Sequence, residues 1–281
     1  MLSGIKAELY RLSKGKALWI IGIAMVVSIL ATTLVPILIE ELLAELLVEG
    51  DATFMLGMMN LQGSNVANPL TEGNNPTFEI IKTLDVQVFF FLAVILSVWT
   101  NDISEGTIRN LIASGHSRKR VYVEKLLTSF ITCTLVVLTY YFLAFLISGI
   151  LIEFKIPNLF QLLIIFIGQL ILFFSIISAS YLIVLITRNK TFFIAIYLLY
   201  PTIFINLISL PVRLGILSGD LSRNILAYTI DPYTLLSSVA WNLPETTNGI
   251  SSYGHSIVVG LIMLVITIIL GLIIFERRDM V

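Results

Sequence analysis

Long apolar runs alternate with short charged segments along the whole chain. Uncharged runs fall at 17–39, 86–101, 126–152, 156–187, 191–212 and 246–275. A helix needs about 20 apolar residues to cross roughly 30 Å of hydrocarbon. The runs therefore predict six transmembrane helices, at 17–39, 80–101, 126–152, 160–187, 191–212 and 256–275. The second is extended to residue 80, with Lys82 and Asp85 in the outer interface. The fourth starts after Pro157, and the last after the turn-rich stretch 248–255.

The connecting segments carry their own patterns. Leu2, Ile5, Leu9 and Leu12 recur at spacings of three and four, so they share one helical face, and Lys6, Arg11 and Lys14 lie away from it. Residues 1–16 thus read as a helix lying in the membrane interface. In the outer loop 40–79, the apolar and acidic first part can continue as an amphipathic helix, and the Asn-, Gly- and Pro-rich part 60–76 reads as loop. In the segment 102–118, Asp102 and Glu105 have the spacing of a capping box. Ile108, Leu111 and Ile112 then form an apolar stripe. Gly115 can close that helix in the left-handed conformation, and Ser117 can cap the next. The segment 213–255 holds apolar stretches at 224–230 and 233–241 that are too short to cross. They read as re-entrant or interfacial helices, with Trp241, Tyr228 and Tyr233 suited to an aromatic belt.

Composition sets the class. The chain is 57% hydrophobic and 12% charged, with mean hydropathy +0.97, against about 25% charged for a soluble domain. It reads as an all-α integral membrane protein, one transmembrane domain over 1–281. The first apolar run is 23 residues long, beyond a signal-peptide core of about 7–15. With the N-terminus in the cytoplasm, 13 of 17 Lys and Arg fall on inner segments, so both termini are placed inside.

Catalytic signals are missing. The sequence holds no G-x-x-x-x-G-K-[ST] run, no H-E-x-x-H and no G-x-S-x-G. Cys133 has no partner for an intrachain disulfide. His116 and His255 fall in opposite compartments, so no shared metal is expected. Glu40-Glu41 would suit a membrane glutamate protease, but that reading wants an arginine where Glu45 stands. The spans are almost free of ionisable residues, which speaks against an ion-coupled transporter. Gln169 and Asn206 are the deepest polar side chains and read first as interhelical hydrogen-bond formers. Phe89, Phe90 and Asn206 are the candidate pathway residues. No catalytic residue, no metal and no nucleic-acid partner is expected.

One stretch is more specific. Asp102-Ile-Ser-Glu-Gly-Thr-Ile-Arg-Asn-Leu-Ile-Ala-Ser-Gly-His-Ser-Arg, followed by Lys125-Leu-Leu, resembles the segment between the second and third spans of bacterial ABC type-2 permeases. The matching positions are Ser104, Glu105, Gly106, Thr107, Arg109, Leu111, Gly115, Ser117, Arg118, Lys125 and Leu126. The resemblance implies a permease subunit of an ATP-driven exporter in the bacterial plasma membrane. It implies a second permease subunit, identical or homologous, and a separate ATPase dimer that binds ATP and Mg. It further implies a coupling helix over 102–118, in which Glu105, Gly106, Thr107, Ile108, Arg109, Leu111, Ile112, Ser117 and Arg118 meet the ATPase. Lack of midplane charge favours an amphipathic peptide, drug or lipid-like cargo. The outer loop after the first span departs from the family pattern in its length, near 40 residues. A secondary transporter or channel, or an intramembrane enzyme or assembly factor, remains the alternative.

Overall fold

The computed structural model describes residues 2–49, 77, 80–81, 88–100, 102, 106–152, 154, 159–187, 189–199 and 247–277. Readings that fall on 50–76 and 200–246 lie outside the described residues. Among those described, all regular structure is helical. Helix α1 spans Leu2–Lys14, α2 Lys16–Glu49 and α3 Val88–Ile95, which widens into a π-helical turn over Leu96–Thr100. Then follow α4 (Thr107–Ala113), α5 (Arg118–Leu151), α6 (Leu159–Thr187), α7 (Lys190–Leu199) and α8 (Thr247–Arg277).

Among the described residues, four helices are long and apolar enough to cross a membrane, over Leu18–Val35, Arg118–Leu151, Leu162–Thr187 and Gly254–Arg277. They correspond to the first, third, fourth and sixth predicted spans. The second and fifth are represented by the shorter apolar stretches Phe90–Trp99 and Lys190–Leu199. Large apolar side chains face outward without any polar cover. On α5 the exposed set is Leu127, Ile131, Leu135, Leu138 and Phe142, and on α8 it includes Leu261, Val265, Ile269 and Ile273. Steps of three and four keep each set on one helix face. In water such stripes would be an aggregation liability; in hydrocarbon they are the lipid contact. The chain is a multi-pass membrane protein.

Side-chain pairs give the helix directions. Phe91 packs on Phe173 at 4.6 Å and Trp99 stacks on Tyr181 at 4.9 Å, so α3 and α6 advance together. Ser178 and Thr267 share a hydrogen bond of 2.5 Å, and a Cβ on Gly260 would touch Leu172, so α8 runs parallel to α6 as well. Helix α5 runs the other way, since Tyr141 donates to Gln169 at 2.5 Å and Ser129 pairs with Tyr181. The first turn of α5 meets the last turn of α8, where Arg118 donates to the Glu276 carbonyl at 3.1 Å and Lys119 pairs with Glu276 at 3.2 Å. At the opposite end, Thr77 and Ser148 share a hydrogen bond of 2.9 Å.

One local reading differs from the structure. Helix α8 begins at Thr247, so the stretch expected as turn is helical. Its Asn, Gly and Ser residues each cost a helix less than about 1 kcal/mol, and continuity with a long apolar helix outweighs that. Helix α2 continues to Glu49, so the amphipathic extension is one piece with the first span.

Candidate functional site

The site is assembled at the end of the bundle where α1, the exit of α3, α4 and the start of α5 converge. Helix α1 presents its apolar stripe to the bundle: Leu12 and Ile5 are buried there, and a Cβ on Gly4 would meet the Glu124 carboxylate at 2.5 Å. The polar edge of the same helix carries Glu8 and Arg11. One turn apart, both reach the neighbouring helices.

Two carbonyls of the π-helical turn at the end of α3 accept from cations. Lys125 donates to the Val98 carbonyl at 3.1 Å and Arg11 to the Ser97 carbonyl at 3.2 Å. Asp102 follows directly and accepts a two-pronged contact from Arg11, at 2.7 and 2.9 Å. Its second oxygen also takes Lys125. Lys125 pairs with Glu8 as well, at 3.0 Å, and Glu8 with Arg11 at 2.8 Å. All three donors of the ammonium are therefore used.

The cluster is neutral, with two carboxylates and two cations, and its centre is dry. Lys125 is 2% exposed. Burial pushes the Asp102 carboxyl up, but the Arg11 and Lys125 contacts outweigh that and hold it below the ordinary carboxylate value. The capping-box reading of Asp102 is thereby corrected. Gly106, not Asp102, is the N-cap of α4; the Asp102 carboxylate bonds Arg11 and Lys125, and its backbone carbonyl accepts from the Thr107 hydroxyl at 3.1 Å.

Beneath the cluster lies an aromatic group, Trp99, Tyr122, Tyr181 and Phe275, with ring centroids 4.9–6.4 Å apart. It draws one residue each from α3, α5, α6 and α8. Gly271 makes the packing possible, since a Cβ there would meet the Tyr122 hydroxyl at 2.1 Å.

Above the cluster stand α4 and the turn after it. Gly106 enters α4 with φ 70°, and Gly115 leaves it with φ 94°. The Gly115 amide donates to the Ile112 carbonyl at 3.0 Å and the His116 amide to the Leu111 carbonyl at 3.3 Å, the paired bonds of a Schellman closure. Ser117 is extended and starts α5 through its backbone carbonyl, which accepts from Val121 at 3.1 Å; its hydroxyl makes no cap. A cavity of about 200 Å³ opens between α1, this turn and α5, with Glu8, Arg11, His116, Glu124 and Lys125 in its walls.

The residues expected to touch an ATPase divide sharply. Ile108 is 2% exposed and packs in the chain's own core, with Leu111 and Ile112 half-buried against it. The apolar stripe thus roots α4 in the bundle. What faces outward is Asn110 and the run Ala113, Ser114, Gly115, His116 and Ser117, followed by Lys119 and Arg120. Thr107 and Arg118 are turned to Asp102 and Glu276. Glu105 lies outside the described residues, as does the side chain of Arg109. Of the pathway candidates, Phe90 packs half-buried against the core, and Asn206 and the Phe89 side chain lie outside the described residues. Gln169 accepts from Tyr141, an interhelical role as read. Among the described residues no group of three or more His, Cys, Asp or Glu is placed to hold a metal.

The ion cluster itself is what the sequence reading missed. Arg11 was read as a polar position on the first helix and Lys125 as a position of the resemblance, with no partner assigned to either. The available signal was a lysine directly before an apolar helix run and an aspartate directly after another, each needing a partner once buried. Compared with family models, curated proteins and solved structures, the chain matches none.

Proposed function

We propose that the chain is the permease subunit of an ATP-driven exporter of the ABC type-2 kind. It forms the membrane pathway with a second permease subunit and is driven by a separate ATPase pair that binds ATP and Mg. Six spans place both termini and the 102–118 segment in the cytoplasm of a bacterial cell. The parallel run of α3, α6 and α8 against α5 supports that crossing order. An amphipathic peptide, drug or lipid-like molecule is the cargo.

One observation carries the reading. The exposed turn 113–117 is rigidly rooted, through Ile108, Thr107 and Asp102, in the ends of two membrane helices and in α1. A load on the turn is therefore delivered to the exit of α3 and the start of α5 together. Packed elements with few free contacts transmit displacement in this way. A solvated basic loop would need none of this internal wiring.

The reading is tested by reconstituting the chain with its ATPase. Replacing Glu105 and Arg109 together by Ala lowers permease-stimulated ATP hydrolysis about tenfold, as loss of central charged contacts at an interface does. Unchanged stimulation, with the complex intact, would count against the coupling role.

A further inference from the structure

A second cavity, of about 430 Å³, lies between α1, α2 and α5 and is unrelated to the ion cluster. That volume falls within the range of about 300–1,000 Å³ typical of small-ligand sites. Its floor is apolar: Leu12, Ile21, Met25 and Val136 line it and are buried. Three hydroxyls also line it, and each spends its proton on a backbone carbonyl of its own helix. Ser13 donates to the Tyr10 carbonyl, Thr132 to the Thr128 carbonyl and Thr139 to the Leu135 carbonyl, each at 2.8 Å. The groove therefore suits hydrocarbon, and its hydroxyls offer no proton to an occupant.

Its surroundings at one end are cationic. Lys14 and Lys16 stand exposed on either side of Gly15, the elbow between α1 and α2, next to the lining residues Ser13 and Leu18. Tyr10, 66% exposed, lies beside them, with the Lys14 ammonium 5.8 Å from its ring. Lysines and an exposed tyrosine beside an apolar slot are the chemistry of a lipid headgroup region.

We propose that this groove holds an acyl chain of an anionic phospholipid from the leaflet that contains α1, with its headgroup phosphate held by Lys14 and Lys16. Charge complementarity and the spent hydroxyls select this occupant over a polar molecule. The lipid would then fill the space between α1, α2 and α5, so that α1 is seated by the bilayer as well as by the ion cluster. The proposal is independent of any motor subunit.

Gly22 provides the test, because it lines the groove and an added Cβ would have no atom within 4 Å. The Cβ of Gly22→Leu therefore enters open space and its side chain takes up part of the slot, and leucine suits a helix better than glycine. The full chain is purified in detergent with equal phosphatidylglycerol and phosphatidylcholine, and bound lipid is counted by native mass spectrometry. The wild type retains phosphatidylglycerol over phosphatidylcholine by at least about fivefold, the gain expected of a lysine at an anionic surface. Gly22→Leu loses most of that lipid while melting no earlier than the wild type. Lys14→Gln with Lys16→Gln keeps a bound lipid and loses the headgroup preference. Equal retention of both lipids by the wild type would overturn the proposal. So would an undiminished lipid count in Gly22→Leu, or a change in that variant confined to the oligomeric state, which would make a second copy of the chain the occupant.

Discussion

Lys125 is the residue on which the ion cluster turns, because its ammonium is buried and all three of its donors are engaged. Removing one partner of a buried charge network strands the others at a cost of about 3–5 kcal/mol. Lys125→Met is therefore expected to lower unfolding stability in a denaturant titration by about 3 kcal/mol. Lys119→Met is the control: its pair with Glu276 is exposed on both sides, and its loss changes stability by less than about 1 kcal/mol. Asp102 predicts a pH dependence with a definite sign. Its carboxyl is held below the ordinary 3.8, so the folded state favours the charged form. Its contribution is complete above the ordinary value and is lost as pH falls through the lowered one. Spin labels at Tyr10→Cys and His116→Cys should keep their separation from pH 8 down to about 5, with α1 released only under stronger acid. Release near neutral pH would contradict the assignment. Gly271→Val should be poorly tolerated for a different reason. The Tyr122 hydroxyl occupies the space its side chain needs, and overpacking of this kind costs about 1–3 kcal/mol, readable as a lower melting temperature.

At the scale of elements, the hydrophobic pattern placed the long helices because lipid imposes a length and a composition that no soluble helix shares. Helix α1 was legible from Leu2, Ile5, Leu9 and Leu12, and the closure of α4 from Gly115, whose φ of 94° suits glycine. Gly115→Ala should accordingly loosen the 113–117 turn by about 1 kcal/mol, seen as faster amide exchange there with global stability unchanged. Less was legible where chemistry is made by contact. The Asp102 and Glu105 spacing suggested a cap, yet the Asp102 carboxylate bonds Arg11, 91 residues away in the chain. Spacing reports local bonds only and does not carry the charge-assisted contacts that Arg11 and Lys125 make with Asp102. The stripe Ile108, Leu111 and Ile112 was legible as apolar, but periodicity cannot say which neighbour it packs on. It packs on the chain's own core, which leaves the turn 113–117 as the exposed part. The stretch 248–255 is helical because local glycine and asparagine signals are weak beside the continuity of a long apolar helix, whose span-forming part starts at Gly254.

At the scale of the whole molecule, one end of the bundle is wired by charge and aromatic packing and the sides are covered by hydrocarbon-facing residues. Such a molecule can pass a movement from its charged end into several membrane helices at once. The central claim is that the turn 113–117 faces the cytoplasm and is gripped there by an ATPase. A cysteine at His116 tests it directly, since the side chain is exposed and Cys133 is buried. In intact cells, a His116→Cys variant is treated first with a membrane-impermeant maleimide and then with a permeant bifunctional cross-linker. The account predicts no labelling from outside and a cross-link to a polypeptide carrying a nucleotide-binding sequence, absent when the cysteine is placed at the lipid-facing Leu138. Labelling of His116→Cys from outside the cell, or cross-linking from inside that captures no ATPase, would contradict it.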